Sequence, residues 1–162
     1  MWLDYGAGLG RLSSILREYF GKSMYSYDKY INPVNNPSDT IVDISFLKGH
    51  KFDLVFSSAV LEHIRNLDPI EEMLSYLSDG GAFAFHTLVC ENIPKDPAWF
   101  YLFPVHCSFF TNRSMAILME KYNMHYSIYS PFSKTWLLMK NKPAFIDLVL
   151  KHINNSFLLN YL

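Results

Sequence analysis

The chain has 162 residues, half of them hydrophobic and 18% charged, with a net charge of −1 and two cysteines. This suits one compact domain and argues against nucleic acid, whose phosphates need clustered cations that the sequence lacks. Cys90 and Cys107 are too few for a zinc site, and neither a signal peptide nor an apolar run of ~18 residues appears, so a cytoplasmic protein without membrane contact is expected.

Residues 3–10, Leu-Asp-Tyr-Gly-Ala-Gly-Leu-Gly, read as a strand, a tight turn and a helix start. Gly6 permits the turn, and Gly8 lets a ligand press against bare backbone. A dinucleotide fingerprint wants its third glycine one place later, where Arg11 stands. That counts against a nicotinamide-linked oxidoreductase. No Lys-Ser/Thr follows to hold phosphates, so the turn suits a nucleoside without a phosphate chain. Leu12, Ile15, Leu16, Tyr19 and Phe20 continue at helical spacing.

A second strand, Ser23–Tyr27, leads to Asp28, 18 residues beyond Gly10, where a carboxylate can accept both hydroxyls of a ribose. Asp43-Ile44 and the strand 52–56 follow, then Ser57-Ser58-Ala59-Val60-Leu61-Glu62-His63. Asp68, Pro69 and Glu71 open a helix as N-cap, first turn and capping box. Its buried stripe is Ile70, Met73, Leu74 and Leu77, and Gly80 stops it. Ala82–Leu88 reads as a buried strand. Thr111 or Ser114 caps a helix with Met115, Leu118, Met119 and Tyr122 inward, and its end, Asn123, tolerates the left-handed conformation. Met124–Ser130 and Lys134–Lys140 are strands whose three-residue link makes them antiparallel. The alternation predicts an α/β layer with a mostly parallel sheet.

Taken in order, "LDYGAGLG", Asp28, "FDLV" and "LEH" resemble the class I S-adenosylmethionine-dependent methyltransferases. Gly80-Gly81 and the later His106 to Thr111, "H-x-x-FFT", look like the small-molecule branch of that superfamily. The resemblance covers roughly residues 2–140. It implies a Rossmann-like, mostly parallel seven-stranded sheet with a C-terminal antiparallel hairpin and helices on both faces. It also implies transfer of a methyl group from S-adenosylmethionine to a small-molecule acceptor, at oxygen. A non-catalytic role in binding the same compound, regulatory or in assembly, is the alternative.

The resemblance assigns residues as well. Asp4, Gly6, Ala7 and Gly8 would lie under the methionine part, Asp28 would hold the ribose, and Lys29 would line the adenine edge. Asp43 would accept from the adenine amino group, with Ile44 over a ring face, and Ser57 and Ser58 would contribute backbone contacts. Some relatives bind a divalent ion through Glu-x-x-Glu-His, but the first Glu falls at Ala59, so no metal is expected; His63 would cap a turn or line the wall. His106 is the expected general base, since an oxygen nucleophile must lose a proton and histidine suits that near neutral pH; His86 is held in reserve. Trp99, Phe100, Tyr101, Phe103, Phe109 and Phe110 would wall an apolar acceptor pocket, with Phe109 and Phe110 alternatively stapling a helix.

Residues 1–142 are thus expected to form the methyltransferase domain, lacking the helix that precedes the first strand in the family. Residues 143–162 would form a helical extension with an apolar tail, packed on this domain or on a second copy in a homodimer.

Overall fold

A computed structural model describes residues 1–31 and 40–143. Its main sheet has six strands: β1 (Trp2–Tyr5), β2 (Tyr25–Tyr27), β3 (Phe52–Ser58), β4 (Leu77–His86), β7 (Tyr126–Ser130) and β8 (Thr135–Met139). They lie in the order β2-β1-β3-β4-β8-β7. The first four are mutually parallel, and β8 and β7 run antiparallel, as the short link requires. Seven strands were expected; beyond β2 the described residues add only a single bridge, between Ser26 and Ile41. Two backbone bonds hold it, Ser26 N to Thr40 O (2.7 Å) and Val42 N to Ser26 O (2.9 Å). The expected C-terminal extension lies outside the described residues.

Strand period sets what each face carries. Leu3, Val55, Phe83 and Phe85 point into the core, and each is at most 2% exposed. Helix α1 (Arg11–Phe20) follows the glycine turn, with Gly10 in the left-handed conformation as its N-cap. Its apolar residues are not the buried stripe that their spacing suggests: Tyr19 and Phe20 are 70% and 66% exposed, and Ser13 is the buried position. A short α2 (Ile44–Lys48) precedes β3, and α3 (Asp68–Ser75) precedes β4.

Helix α3 differs from expectation at both ends. Leu67, not Asp68, is the N-cap, and Asn66 rather than the helix takes up the Asp68 side chain. The helix stops at Ser75, five residues before Gly80, because the Tyr76 carbonyl is drawn to Phe52 N (2.8 Å) and Leu77 enters the sheet opposite Phe52. Helix α4 (Asn112–Lys121) carries a complete capping box, with Thr111 Oγ1 accepting from Ser114 N and Ser114 Oγ accepting from Thr111 N (each 3.2 Å). Asn123 adopts φ 53°, the left-handed turn expected of it.

Two features place a site. Strand order reverses at β1, with β2 on one side and β3 on the other, so a crevice opens beyond their carboxyl ends. A small second sheet pairs β5 (Val89–Cys90) with β6 (Phe110–Thr111), closing the ends of the intervening loop.

Candidate active site

The glycine turn is built by backbone bonds before any side chain acts. Gly6 N and Ala7 N both donate to Tyr27 O, at 2.8 and 3.0 Å, fastening the turn over the end of β2. Gly6 has φ 78°, and a Cβ there would come within 2.5 Å of Val60 Cγ2, so only glycine fits. Gly8, at φ 55°, has nothing within 4 Å of its Cβ direction. Open space over a bare backbone is what a pressed ligand needs.

Asp28 leaves β2 and turns back to this loop. One carboxylate oxygen accepts from Gly8 N (2.9 Å) and the other from Tyr30 N (2.8 Å). A carboxylate offers about four acceptor sites, so roughly two remain for hydroxyl donors. Asp4 is 4% exposed, and its carboxyl is pushed up to about 7, chiefly by burial and further by the charge of Asp28. A nearby cation would return it to the ionised form.

Two cavities flank Gly6. A smaller one of about 260 Å³ is lined by Asp4, Gly6, Ala7, Leu12, Phe56 and Ser58. A larger one of about 480 Å³ runs from Asp28, Lys29 and Tyr30 past Tyr5, Gly6, Ala59 and Val60 to His63, Arg65 and Glu72. Of the residues singled out in the sequence, Asp4, Gly6, Ala7, Asp28, Lys29 and Ser58 thus line one or other cavity, and Gly8 bonds Asp28 at the rim. Ser57 is fully buried in β3, and its hydroxyl has no partner among the described residues.

Asp43 and Ile44 line neither cavity. The Asp43 carboxylate caps α2, accepting from Phe46 N (3.0 Å) and Ser45 Oγ (2.6 Å), and the Ser45 bond leads in holding its pKa below the ordinary value. A helix N-cap and an adenine contact call for the same residue pair, Asp followed by an apolar side chain.

The sequence reading missed Tyr5 and Glu72. Tyr5 packs between Tyr27 (ring centroids 5.1 Å) and Tyr76 (6.4 Å), and Glu72 accepts from Tyr76 hydroxyl at 3.2 Å. Burial and, next, Glu72 hold the Tyr5 phenol in its neutral form, and Tyr76 is pushed up to about 12 for the same reasons.

The loop between β5 and β6 is stitched to the Leu61–His63 turn. Cys107 N and Ser108 N donate to Glu62 O (2.8 and 3.1 Å), Ser108 Oγ donates to Ile64 O (2.6 Å), and His63 Nδ1 donates to Val105 O (3.0 Å). His106 therefore stands beside His63, with ring centroids 4.9 Å apart. Its Nδ1 donates to Tyr101 O (2.8 Å), and since a carbonyl only accepts, the hydrogen sits on Nδ1 and Nε2 is open. Tyr101 and Phe103 pack on the same ring, at 4.5 and 5.3 Å. The expected aromatic wall divides: Trp99, Tyr101 and Phe109 form one cluster with Phe100 on its outer side, Phe100 and Phe103 are more than half exposed, and Phe110 belongs to the core with Met115. His86 sits at the end of β4 with a buried Nδ1 that has no partner among the described residues.

Residues 1–126 match the methyltransferase domain family, and the chain belongs to it. No curated protein matches the chain in sequence. Among solved structures, it is similar in fold to a SAM-dependent methyltransferase from Archaeoglobus fulgidus, with 18% identity over 79% of this chain and a TM-score of 0.57. The chain spans 62% of that protein's length. It is also similar to an O-methyltransferase family protein from Burkholderia thailandensis (14% identity, 88% of this chain, 51% of that one, TM-score 0.57). A third is the plantazolicin methyltransferase BpumL in complex with a triazolic analogue and SAH (14% identity, 96% and 71%, TM-score 0.59). Among the described residues, no helix is long and apolar enough to cross a membrane.

Proposed function

We propose that the chain transfers a methyl group from S-adenosylmethionine to an oxygen of a small-molecule acceptor. The observation that carries this reading is the pair of cavities meeting at Gly6, one rimmed by the Asp28 carboxylate and the other holding the buried Asp4. A donor with ribose hydroxyls at one point and an ammonium group at another matches that pair, and the space over Gly8 admits it. When bound, it supplies an electrophilic methyl group on a cationic sulfur.

The protein's own residues then do three things. Asp28 accepts from the ribose hydroxyls while Gly8 N and Tyr30 N hold its carboxylate still, and Lys29 lines the base. Asp4 loses its proton to solvent and, as a carboxylate at the buried end of β1, pairs with the ammonium. The acceptor enters from the His63, Arg65 and Glu72 end of the larger cavity, beside His106, whose open Nε2 takes the hydroxyl proton. Holding oxygen and methyl at near-attack distance supplies much of the acceleration in such a displacement.

Isothermal titration with S-adenosylhomocysteine, followed by mass spectrometry of hydroxyl acceptors incubated with the donor, tests the reading. Binding and a methylated product support it. Binding without product across the panel assigns a non-catalytic donor-binding role instead, and no binding removes the proposal altogether.

A further inference from the structure

We infer that Glu62 and Tyr101 are positioning residues that hold His106, the proposed base, in one tautomer. The use of His106 as base belongs to the methyl-transfer reading, on which this role rests. His106 lies in the segment 101–108 between β5 and β6, and Glu62 ties that segment at both ends. At the far end the Glu62 carbonyl accepts from Cys107 N (2.8 Å) and Ser108 N (3.1 Å). At the near end its carboxylate accepts from Thr87 Oγ1 (3.2 Å), which in turn lies 3.3 Å from the Tyr101 hydroxyl.

The bonds at the near end run in one direction. Thr87 has a single hydroxyl proton, and it goes to the Glu62 carboxylate. The Tyr101 phenol must then donate to Thr87, while Leu88 N donates to the phenol oxygen (3.3 Å). Burial, ahead of other causes, raises the Tyr101 pKa, so the phenol keeps the proton that this requires. Leu88 N–H, Tyr101 O–H and Thr87 O–H thus form a row of donors ending on Glu62. Such rows polarise and strengthen their members. Glu62 is only 3% exposed, Thr87 is fully buried, and among the described residues no Lys or Arg pairs with the carboxylate. Burying such a group is costly unless its oxygens are bonded. An apolar side chain would fill the space without that penalty, but it could not hold Tyr101.

Tyr101 passes this order to His106 in two ways. Its carbonyl accepts from His106 Nδ1 (2.8 Å), and its ring lies against the imidazole, with centroids 4.5 Å apart. His106 N also donates to Phe103 O (3.0 Å), which closes the turn between them. A histidine ring without such a partner exchanges between two tautomers, and only one of them presents an open Nε2. Fixing the Tyr101 carbonyl therefore keeps Nε2 ready to take the acceptor's proton.

The test is the tautomer of His106 in the full chain carrying ¹⁵N-labelled histidine. It is read from two-bond ¹H–¹⁵N spectra at about pH 8.5, where ordinary imidazoles are neutral. The unsubstituted chain should show His106 as Nδ1–H alone. Tyr101→Phe, which removes only the hydroxyl, and Glu62→Leu should each give a mixture of both forms. Glu62→Gln keeps an oxygen for Thr87 and should largely retain the original pattern. His50, whose Nδ1 meets Phe46 O at 2.7 Å just past α2, is the internal control and should stay constant throughout. If Glu62→Leu does not fold, Tyr101→Phe carries the test. His106 wholly Nδ1–H in Tyr101→Phe, or already mixed in the unsubstituted chain, overturns the assignment; so does a change at His50 as large as that at His106. S-adenosylhomocysteine is titrated into the same samples. Binding of this compound with a His106 tautomer indifferent to both residues defeats the positioning role alone. The expected tautomer changes in a chain that does not bind it defeat the methyl-transfer reading alone.

Discussion

The glycine turn at Asp4–Gly10 lines the larger cavity through Gly6, and the loop between β5 and β6 is bonded to His63 at that cavity's other end, but the chain builds them in opposite ways. The turn is local: seven consecutive residues, fastened by two bonds to Tyr27 O and completed by one carboxylate at the next strand end. The loop is stitched to residues such as His63, 44 positions before Cys107, and has little regular structure of its own. Backbone geometry dictates the first, whereas tertiary hydrogen bonds dictate the second. The turn, proposed to hold the donor, should therefore fail through backbone strain, and the loop, proposed to serve the acceptor half, through loss of individual side chains.

His106→Asn probes the acceptor half and should have the largest effect. Product formation should fall by at least about a hundredfold, the lower range for losing acid–base or equivalent assistance, while S-adenosylhomocysteine affinity stays within about twofold. Equal losses in both would merge the two halves. Gly6→Val comes next. The Val60 contact and a φ of 78° should cost about 1–3 kcal/mol in strain alone, read as a lowered melting temperature together with lost donor-product binding. Asp28→Ala should weaken S-adenosylhomocysteine by about tenfold or more, the scale of hydrogen bonds to a charged group, and leave the melting temperature of the free protein nearly unchanged.

A pH series sharpens the comparison further. Because the folded Asp4 carboxyl lies near 7 against an ordinary 3.8, the unfolded chain releases its proton first. Stability from this group is therefore complete below 3.8 and lost as pH rises through about 7. The donor's ammonium favours the ionised form, so stabilisation by S-adenosylhomocysteine should increase over the same window. Melting curves with and without that compound should show both trends, and Asp4→Asn should flatten them. The smallest effect belongs to Thr111→Ala, which opens the α4 capping box and should cost about 1 kcal/mol in chemical denaturation without touching donor binding.

How far the sequence was legible follows the same division. The strand, turn and next strand end that carry Asp4, Gly6, Gly8 and Asp28 could be read because they are punctuated locally. The capping box at Thr111 and the left-handed Asn123 were legible for the same reason. Helix α3 was read too long because Leu77 fits a helical stripe as well as a strand, and only the pairing with Phe52 decides between them. Asp43-Ile44 reads two ways because helix capping and adenine contact use the same two residue types, and the structure shows the cap. Glu72 was hidden on a helix face whose partner, Tyr5, becomes its neighbour only once sheet and helix pack. The nearness of His106 to Glu62 was illegible in principle, since no local pattern encodes which loop a strand-end turn will receive.

The measurement that bears most directly on the central claim is a crystal structure of the chain soaked in S-adenosylhomocysteine. The ribose hydroxyls should sit on Asp28 and the amino acid should reach Asp4, with the sulfur facing the His63 end of the larger cavity. Density for the compound elsewhere, or with Asp28 and Asp4 left untouched, would contradict the account.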